Sequence, residues 1–407
     1  MTSKKTAEEP EGTMPCTWKV LPLEALAHIQ YGLRGALDRG IKEGIPVISL
    51  PNVSKKCRLN LEGHAMAHPY KVADKHILKR GDIIFNWRNG SLQHLGKTAY
   101  FNEVGRYTHV HFFLRIRVNH SVNGEYLFQY LRYLKEIGYF MNARNHINNT
   151  FNKQELAETP TVLPSKKEQQ FIALALREWD GAIDRLEKGF KNVLLLKKKM
   201  LTNIFSGRKR GASFRGQDWW LVRFSDFVKR IKDKCQPGQS APDLPCIELE
   251  HVESGHGRLL GSVSIKELSS TKYIYKVGDV LFGRLRPYLR KFYLPEEDGL
   301  CSTEYWVLRP DSDLCNTVYL YYLIQSPPFM QYANHLDGSG LPRSNWDYIA
   351  DFQFPLPTMA EQRFIAQCLT QMDRQIELRR QYLEKVYVQA SMVRFNMVSG
   401  KKRMTIQ

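Results

Sequence analysis

The chain is written twice, and that duplication constrains its fold more than any other feature. The run Lys79-Arg-Gly-Asp-Ile-Ile-Phe85 returns as Lys276-Val-Gly-Asp-Val-Leu-Phe282. Leu163-Pro-Ser-Lys-Lys-Glu-Gln-Gln-Phe-Ile-Ala173 returns as Leu356-Pro-Thr-Met-Ala-Glu-Gln-Arg-Phe-Ile-Ala366. Ile45-Pro46-Val47-Ile48 matches Leu244-Pro245-Cys246-Ile247, Trp18 matches Trp219, and Tyr126-Leu127 matches Tyr319-Leu320. The offset drifts from 201 to 193 across the first part of each half, then holds at 193 from Tyr126 onward. A repeat of this length means one supersecondary plan built twice. Each half therefore reads as a globular part followed by a helical element.

The helical elements carry a heptad seam. In the first, apolar residues fall at Ile172, Leu176, Trp179, Ile183, Leu186, Phe190, Val193, Met200 and Ile204, with Lys197 as the one charged entry. In the second they fall at Ile365, Leu369, Met372, Ile376, Leu383, Val386, Ala390, Val393 and Met397, with Arg379 as the charged entry. Pro164 and Pro357 mark the starts, and Glu168 and Glu361 sit where a helix N-terminus favours a carboxylate. A seam from Ile172 to Ile204 is ~50 Å long at about 1.5 Å per residue. The 11-residue stretch from Gly207 to Gln217 reaches at most roughly 36–40 Å. A parallel pair would need a longer return, so antiparallel packing is expected. The globular parts mix strand-like runs (Ile83–Phe85, Phe112–Leu114, Tyr305–Leu308) with amphipathic helices over Tyr126–Met141 and Val318–Tyr332.

The expected fold is thus α+β: two similar mixed α/β domains separated by two long antiparallel helices that form a coiled-coil spacer, in a pseudo-twofold internal repeat. The expected limits are a flexible tail (1–14), domain one (15–164), spacer helix one (165–206), a linker (207–217), domain two (218–357), spacer helix two (358–400) and a basic tail (401–407).

Lys plus Arg number 59 against 41 Asp plus Glu, a formal charge of +18. Such an excess suggests a polyanionic partner, most simply nucleic acid. It is uneven: residues 15–164 hold 20 basic and 11 acidic residues, whereas 218–357 hold 15 and 18. Seven scattered cysteines without a C-x-x-C pair indicate neither zinc ribbon nor disulfide framework, and suit reduced thiols in the cytoplasm. No signal peptide or transmembrane run is read, and no metal site is expected.

Together, the repeated Gly-Asp-hydrophobic-hydrophobic-Phe runs (81–85, 278–282), the repeated Leu-Pro-x-x-x-Glu-Gln-x-Phe-Ile-Ala starts and the duplicated helices resemble the specificity (S) subunit of type I restriction–modification systems. The resemblance runs from about Trp18 to Arg403. It implies that the globular parts are target recognition domains for double-stranded DNA. It implies that the helices hold two methyltransferase (modification) subunits, with restriction/translocase subunits completing the complex. It implies no catalytic residue here; S-adenosylmethionine, ATP and Mg belong to the partner subunits.

Candidate DNA contacts come from basic, amide-bearing and aromatic side chains in repeated loops, because Arg suits guanine edges and Asn adenine. In domain one these are Trp87, Arg88 and Asn89, then Arg144, Asn145, Asn148 and Asn149. In domain two they are Arg284, Arg286, Tyr288, Arg290 and Lys291, then Arg343, Ser344 and Asn345. Lys55, Lys56 and Arg58 are expected to touch phosphates.

Two motifs suggest other chemistry. Leu95-Gly96-Lys97-Thr98 hints at a phosphate loop, but Gly90 lies one residue too far away and the following residues read as strand. Ser326-Pro327-Pro328-Phe329 resembles the amino-methyltransferase motif that grips a flipped base. The better account is a helix-terminating proline pair, although a self-contained methyltransferase stays as a rival. A second rival is the recognition subunit of a different multisubunit methylase/nuclease system.

Overall fold

A computed structural model describes residues 17–35, 41, 43–142, 149–236, 244–264, 266, 268–335 and 341–401. The expected tail at 1–14 and all of the expected tail at 401–407 except Lys401 lie outside the described residues. The chain gathers into two compact units, Met1–Glu187 with Tyr382–Gln407, and Lys188–Gln381. Each unit contains one globular lobe and half of each long helix, so the units cut across the limits read from sequence.

In the first unit, a four-stranded antiparallel sheet runs in the order Ala27–Tyr31, Phe113–Val118, Ile83–Asn86, Thr98–Tyr100. In the second, the order is Val228–Ile231, Tyr305–Pro310, Val280–Gly283, Phe292–Tyr293. The registers correspond: Ile83 lies opposite Ile116, which lies opposite Ile29, while Val280 lies opposite Leu308, which lies opposite Arg230. The small second sheets share a mixed core. Ile45–Ile48 pairs antiparallel with Ala65–Ala67 and parallel with Thr108–His109; Pro245–Ile247 pairs the same two ways with Val263–Ser264 and Gly299–Ser302. A two-stranded ribbon closes each lobe, Lys19–Pro22 with Pro160–Leu163 and Trp220–Arg223 with Gln353–Leu356.

The helices expected at Tyr126–Met141 and Val318–Tyr332 are each interrupted. Gly124–Glu136 stops before Gly138, whose φ of 78° a side chain would strain. Thr317–Leu323 stops before Ser326, which caps a new helix, Pro327–Ala333. Prolines at the first helical positions fit because their missing N–H has no partner to lose there.

The long helices are Lys166–Phe205 and Met359–Val398, 40 residues each. Their pairing is antiparallel within each unit. In the first, Ile172, Leu176, Met397 and Val398 share one core cluster, and Ile183 packs with Val386 and Ala390, flanked by Trp179, Leu186 and Leu383. In the second, Ile204 and Leu201 meet Ile365 and Leu369. Ile376 is buried, while Phe190 and Met372 are half-buried. Lys197 keeps its seam position because a carboxylate matches it: Nζ lies 2.6 Å from Asp373. Arg379 does not lie in the seam. It is exposed, where its charge stays hydrated. The buried cation of the second helix is instead Arg394, whose guanidinium meets Asp180, Glu136 and Gln129.

The two repeated motifs have structural roles. Gly81 and Gly278 adopt φ of 93° and 95°, which glycine alone tolerates freely, and turn the following aspartate inward. Asp82 and Asp279, both 1% exposed, each accept a bond from the backbone N–H three residues earlier and a two-pronged bond from Arg117 or Arg309. The Glu-Gln pairs fasten helix starts to lobes. Glu168 accepts from the Trp18 indole at 3.3 Å, and Glu361 from Trp219 at 2.8 Å and from Arg210. Gln169 accepts from Asn123 N–H at 2.8 Å, and Gln362 from Asn316 N–H at 2.9 Å.

Candidate nucleic-acid interface

In each lobe the central strand of the main sheet runs into a loop that pairs with a second, distant loop. In the first unit, Arg88 bridges Thr150, Phe151 N–H donates to Trp87 C=O at 2.8 Å, and Asn89 N–H donates to Asn149 C=O at 3.3 Å. In the second, Leu285 bridges Arg343, Arg286 N–H donates to Pro342 C=O at 2.7 Å, and Ser344 N–H donates to Arg284 C=O at 2.9 Å. The candidate segments separated in sequence are thereby brought together, twice and in the same way. Arg144, Asn145 and Asn148 lie outside the described residues.

Within the first loop pair the side chains divide by role. Trp87 is anchored: its indole N–H donates to His111 C=O at 2.6 Å and its ring meets Tyr31 edge-on at 5.4 Å. Asn89 closes its own turn, donating to Asn86 at 3.0 Å and accepting from Ser91 N–H. Asn149 holds φ of 47° and donates to Gly90 C=O at 3.0 Å. Arg88 and Arg34 are exposed. Burial, and then those two charges, hold the His111 imidazole below its ordinary range.

The second loop pair is richer in arginine and more strained. Arg286 and Arg290 adopt φ of 50° and 54°, a left-handed conformation that costs a non-glycine residue about 1 kcal/mol or more. Arg286, Tyr288 and Leu289 are exposed. Arg343 is paired with Glu304 at 2.7 Å, and Arg284 lies 3.7 Å from the same carboxylate. One carboxylate therefore faces two guanidiniums.

Several side chains expected on DNA make hydrogen bonds within the protein. Lys291 donates to Val252 C=O, just as its counterpart Lys97 donates to Val53 C=O at 2.6 Å and Leu50 C=O at 3.2 Å. Both lysines hold the turn after the Pro-containing strand, which also removes the phosphate-loop reading of Lys97. Burial first holds the Lys97 ammonium below its ordinary range. Arg290 donates to Gln325 C=O at 2.6 Å, Ser344 to Ala333 C=O at 2.6 Å, and Asn345 caps Asp347 N–H at 2.9 Å.

Lys56 and Arg58, expected to touch phosphates, are also held within the protein. Lys56 pairs with Glu187 at 2.9 Å and covers the Tyr387 ring, and Arg58 pairs with Asp184 and Glu187. Their charges tie the loop to the long helices of the first unit. Lys55 stays exposed, 3.2 Å from Gln93.

Ser326-Pro327-Pro328-Phe329 is a helix cap. The Ser326 hydroxyl is fully buried and accepts from Phe329 N–H at 3.4 Å; Phe329 packs against Phe224, Phe282 and Phe354. A base has no face of Phe329 to stack on, so the methyltransferase reading of this motif fails. Among the described residues no group of three or more His, Cys, Asp or Glu could hold a metal, and no helix is long and apolar enough to cross a membrane. The six cysteines among the described residues are free thiols.

A chain that builds the same arginine-bearing loop pair twice, each beside half of a duplicated helix pair, has the make-up of a recognition protein. The family model described as type I restriction modification DNA specificity domain matches it twice, over residues 16–196 and 227–387. The chain belongs to that family, whose members are the non-catalytic, DNA-recognition chains of type I systems. It is 25% identical, over 96% of its length and 95% of the relative's, to a Methanocaldococcus jannaschii protein provisionally named as the specificity subunit of the type I restriction enzyme MjaX. It is 24% identical to the EcoDI specificity subunit of Escherichia coli, over 57% of this chain and 59% of that one. Its fold is similar to a structure of a type I R-M system (TM-score 0.61, 14% identity, 96% of this chain and 100% of that chain). It is also similar to the S subunit from M. genitalium (TM-score 0.53, 12% identity, 98% and 99%).

Proposed function

We propose that this specificity subunit reads a bipartite, asymmetric duplex target, one half-site per lobe. The observation that supports this reading is the loop pair built twice on matching strands with different side chains, Trp87-Arg88-Asn89 in one and Arg284-Leu285-Arg286 in the other. Matching loop scaffolds with unlike reading residues suit two unlike half-sites. Residues 15–164 and 218–357 are the proposed target recognition domains. The long helices recruit two methyltransferase subunits, which in turn bring the restriction/translocase subunits. S-adenosylmethionine, ATP and Mg serve in those partners, in the cytoplasm. Helix length then sets the unread gap between half-sites.

Inserting one heptad into each long helix tests the ruler. About 10.5 Å of added helix corresponds to roughly three base pairs. Sequencing the sites methylated by the assembled complex should show a gap longer by that amount; an unchanged gap defeats the proposal.

A further inference from the structure

At the sheet position where the first lobe buries Ile29, the second lobe places Arg230. The registers fix the equivalence, since each lies opposite the strand residue that faces the apolar residue following the Gly-Asp turn. Ile29 is 4% exposed and belongs to an apolar core. An arginine there loses hydration and gains no hydrophobic stabilisation, so it needs another reason to be present.

Its surroundings point to one. The guanidinium lies over two indole rings, 5.9 Å from the Trp306 centroid and 5.8 Å from that of Trp346, and the rings themselves meet edge-on. Ring contacts of this kind hold a cation without using its hydrogen-bond donors. Its buried Nε has no hydrogen-bond partner among the described residues, and the Nε of Arg284 lies 3.7 Å from the Glu304 carboxylate. Burial first, and the nearby Arg284 charge among the smaller causes, hold the Arg230 guanidinium below the ordinary arginine range; Tyr273 and Asp347 act in the opposite sense. Trp346 directly follows the loop 343–345, and Ser344 is bonded to Arg284. Arg230 therefore belongs to the same corner as the arginine loop pair. Two neighbouring guanidiniums at one loop corner, where a single carboxylate, Glu304, faces Arg284 and already serves Arg343, suit an acceptor-rich ligand edge.

We infer that Arg230, caged by Trp306 and Trp346 beside Arg284, is a specificity-determining residue of the second lobe that reads the paired acceptors of a guanine edge. This rests on the proposed DNA reading of the lobes and deepens it. Guanine offers N7 and O6 side by side in the major groove, a spacing that one guanidinium edge matches. The corresponding corner of the first lobe carries Ile29, which has no donor to offer.

The test uses the full chain assembled with its methyltransferase subunits, carrying Arg230→Ile (the residue type of the first lobe), Arg230→Lys, or neither. Methylated sites are sequenced, and DNA binding is measured against salt. Both variants should relax the preference at one G·C pair of the second half-site by roughly ten- to a hundredfold, with the first half-site unchanged. A uniform loss on all sequences, with a salt slope smaller by about one and restored by lysine, would mark a phosphate contact and overturn the guanine assignment. An unchanged motif with a shifted melting temperature would show that Arg230 is only structural. Should the unsubstituted complex read no half-site through its second lobe, the underlying DNA reading fails instead.

Discussion

The Asp82 carboxylate receives both Nε and Nη2 of Arg117 at 2.7 Å, and Asp279 receives the same two atoms of Arg309 at 2.6 and 2.8 Å. Each pair pins the start of the central strand of its lobe to the neighbouring strand, and that strand then runs into the loop that presents the candidate DNA-binding side chains. Removing one partner leaves the other charge uncompensated. Asp82→Ala should cost on the order of 3 kcal/mol, reduced somewhat because Arg117 is partly exposed. Urea unfolding of the full chain checks this, and Asp279→Ala should act alike on the second lobe.

Ser326→Ala separates a cap from a catalytic motif. Loss of the cap should cost about 1 kcal/mol. Methylation by the assembled complex, measured at a temperature where both proteins are folded, should be unchanged. A drop of about a hundredfold or more would restore the methyltransferase reading.

His109 should make the first lobe acid-sensitive. Its ring is fully buried, neither ring nitrogen has a partner among the described residues, and burial, then Arg115 and His76, hold its pKa down at about 3. The folded-state pKa lies below the unfolded value of 6.5, so the unfolded chain binds the proton first. Stability is full above about pH 6.5 and falls toward pH 3 by up to about 1.4 kcal/mol per pH unit. Denaturant titrations across the range from neutral to mildly acidic pH should show that slope, and His109→Gln should flatten it.

The exposed and the occupied arginines should behave differently on DNA. Arg286→Ala and Arg88→Ala should weaken binding, and the salt slope should fall by about one for each phosphate the missing guanidinium had neutralised. Arg58→Ala should leave DNA binding unchanged and lower the melting temperature, because its charge is held by Asp184 and Glu187. Salt-dependent binding beside a thermal melt distinguishes the two.

Much of the architecture is readable from spacing. The seam residues from Ile172 to Ile204 and from Ile365 to Met397 predict two long helices, and reach along the chain predicts their antiparallel pairing. Periodicity cannot tell Arg379, which points to water, from Arg394, which is buried. That depends on a matching carboxylate, and Asp180 and Glu136 are distant in sequence. The same limit applies to the loops. Lys291, Arg290, Lys56 and Arg58 read as free cations because the carbonyls and carboxylates that hold them lie 35 to 131 residues away. Arg230 is silent in the sequence, because a strand residue between Lys229 and Ile231 gives no local sign that two tryptophans enclose it.

By itself the sequence determined the duplication, the helix seams and the family. These rest on repeated residues and on the 3.6-residue period, which are local properties of the chain. Only the tertiary structure decided which basic residues are spent inside the protein and which stay available to a ligand. A charge is free or paired according to neighbours that folding brings from far along the chain, and pairing requires no change in residue type.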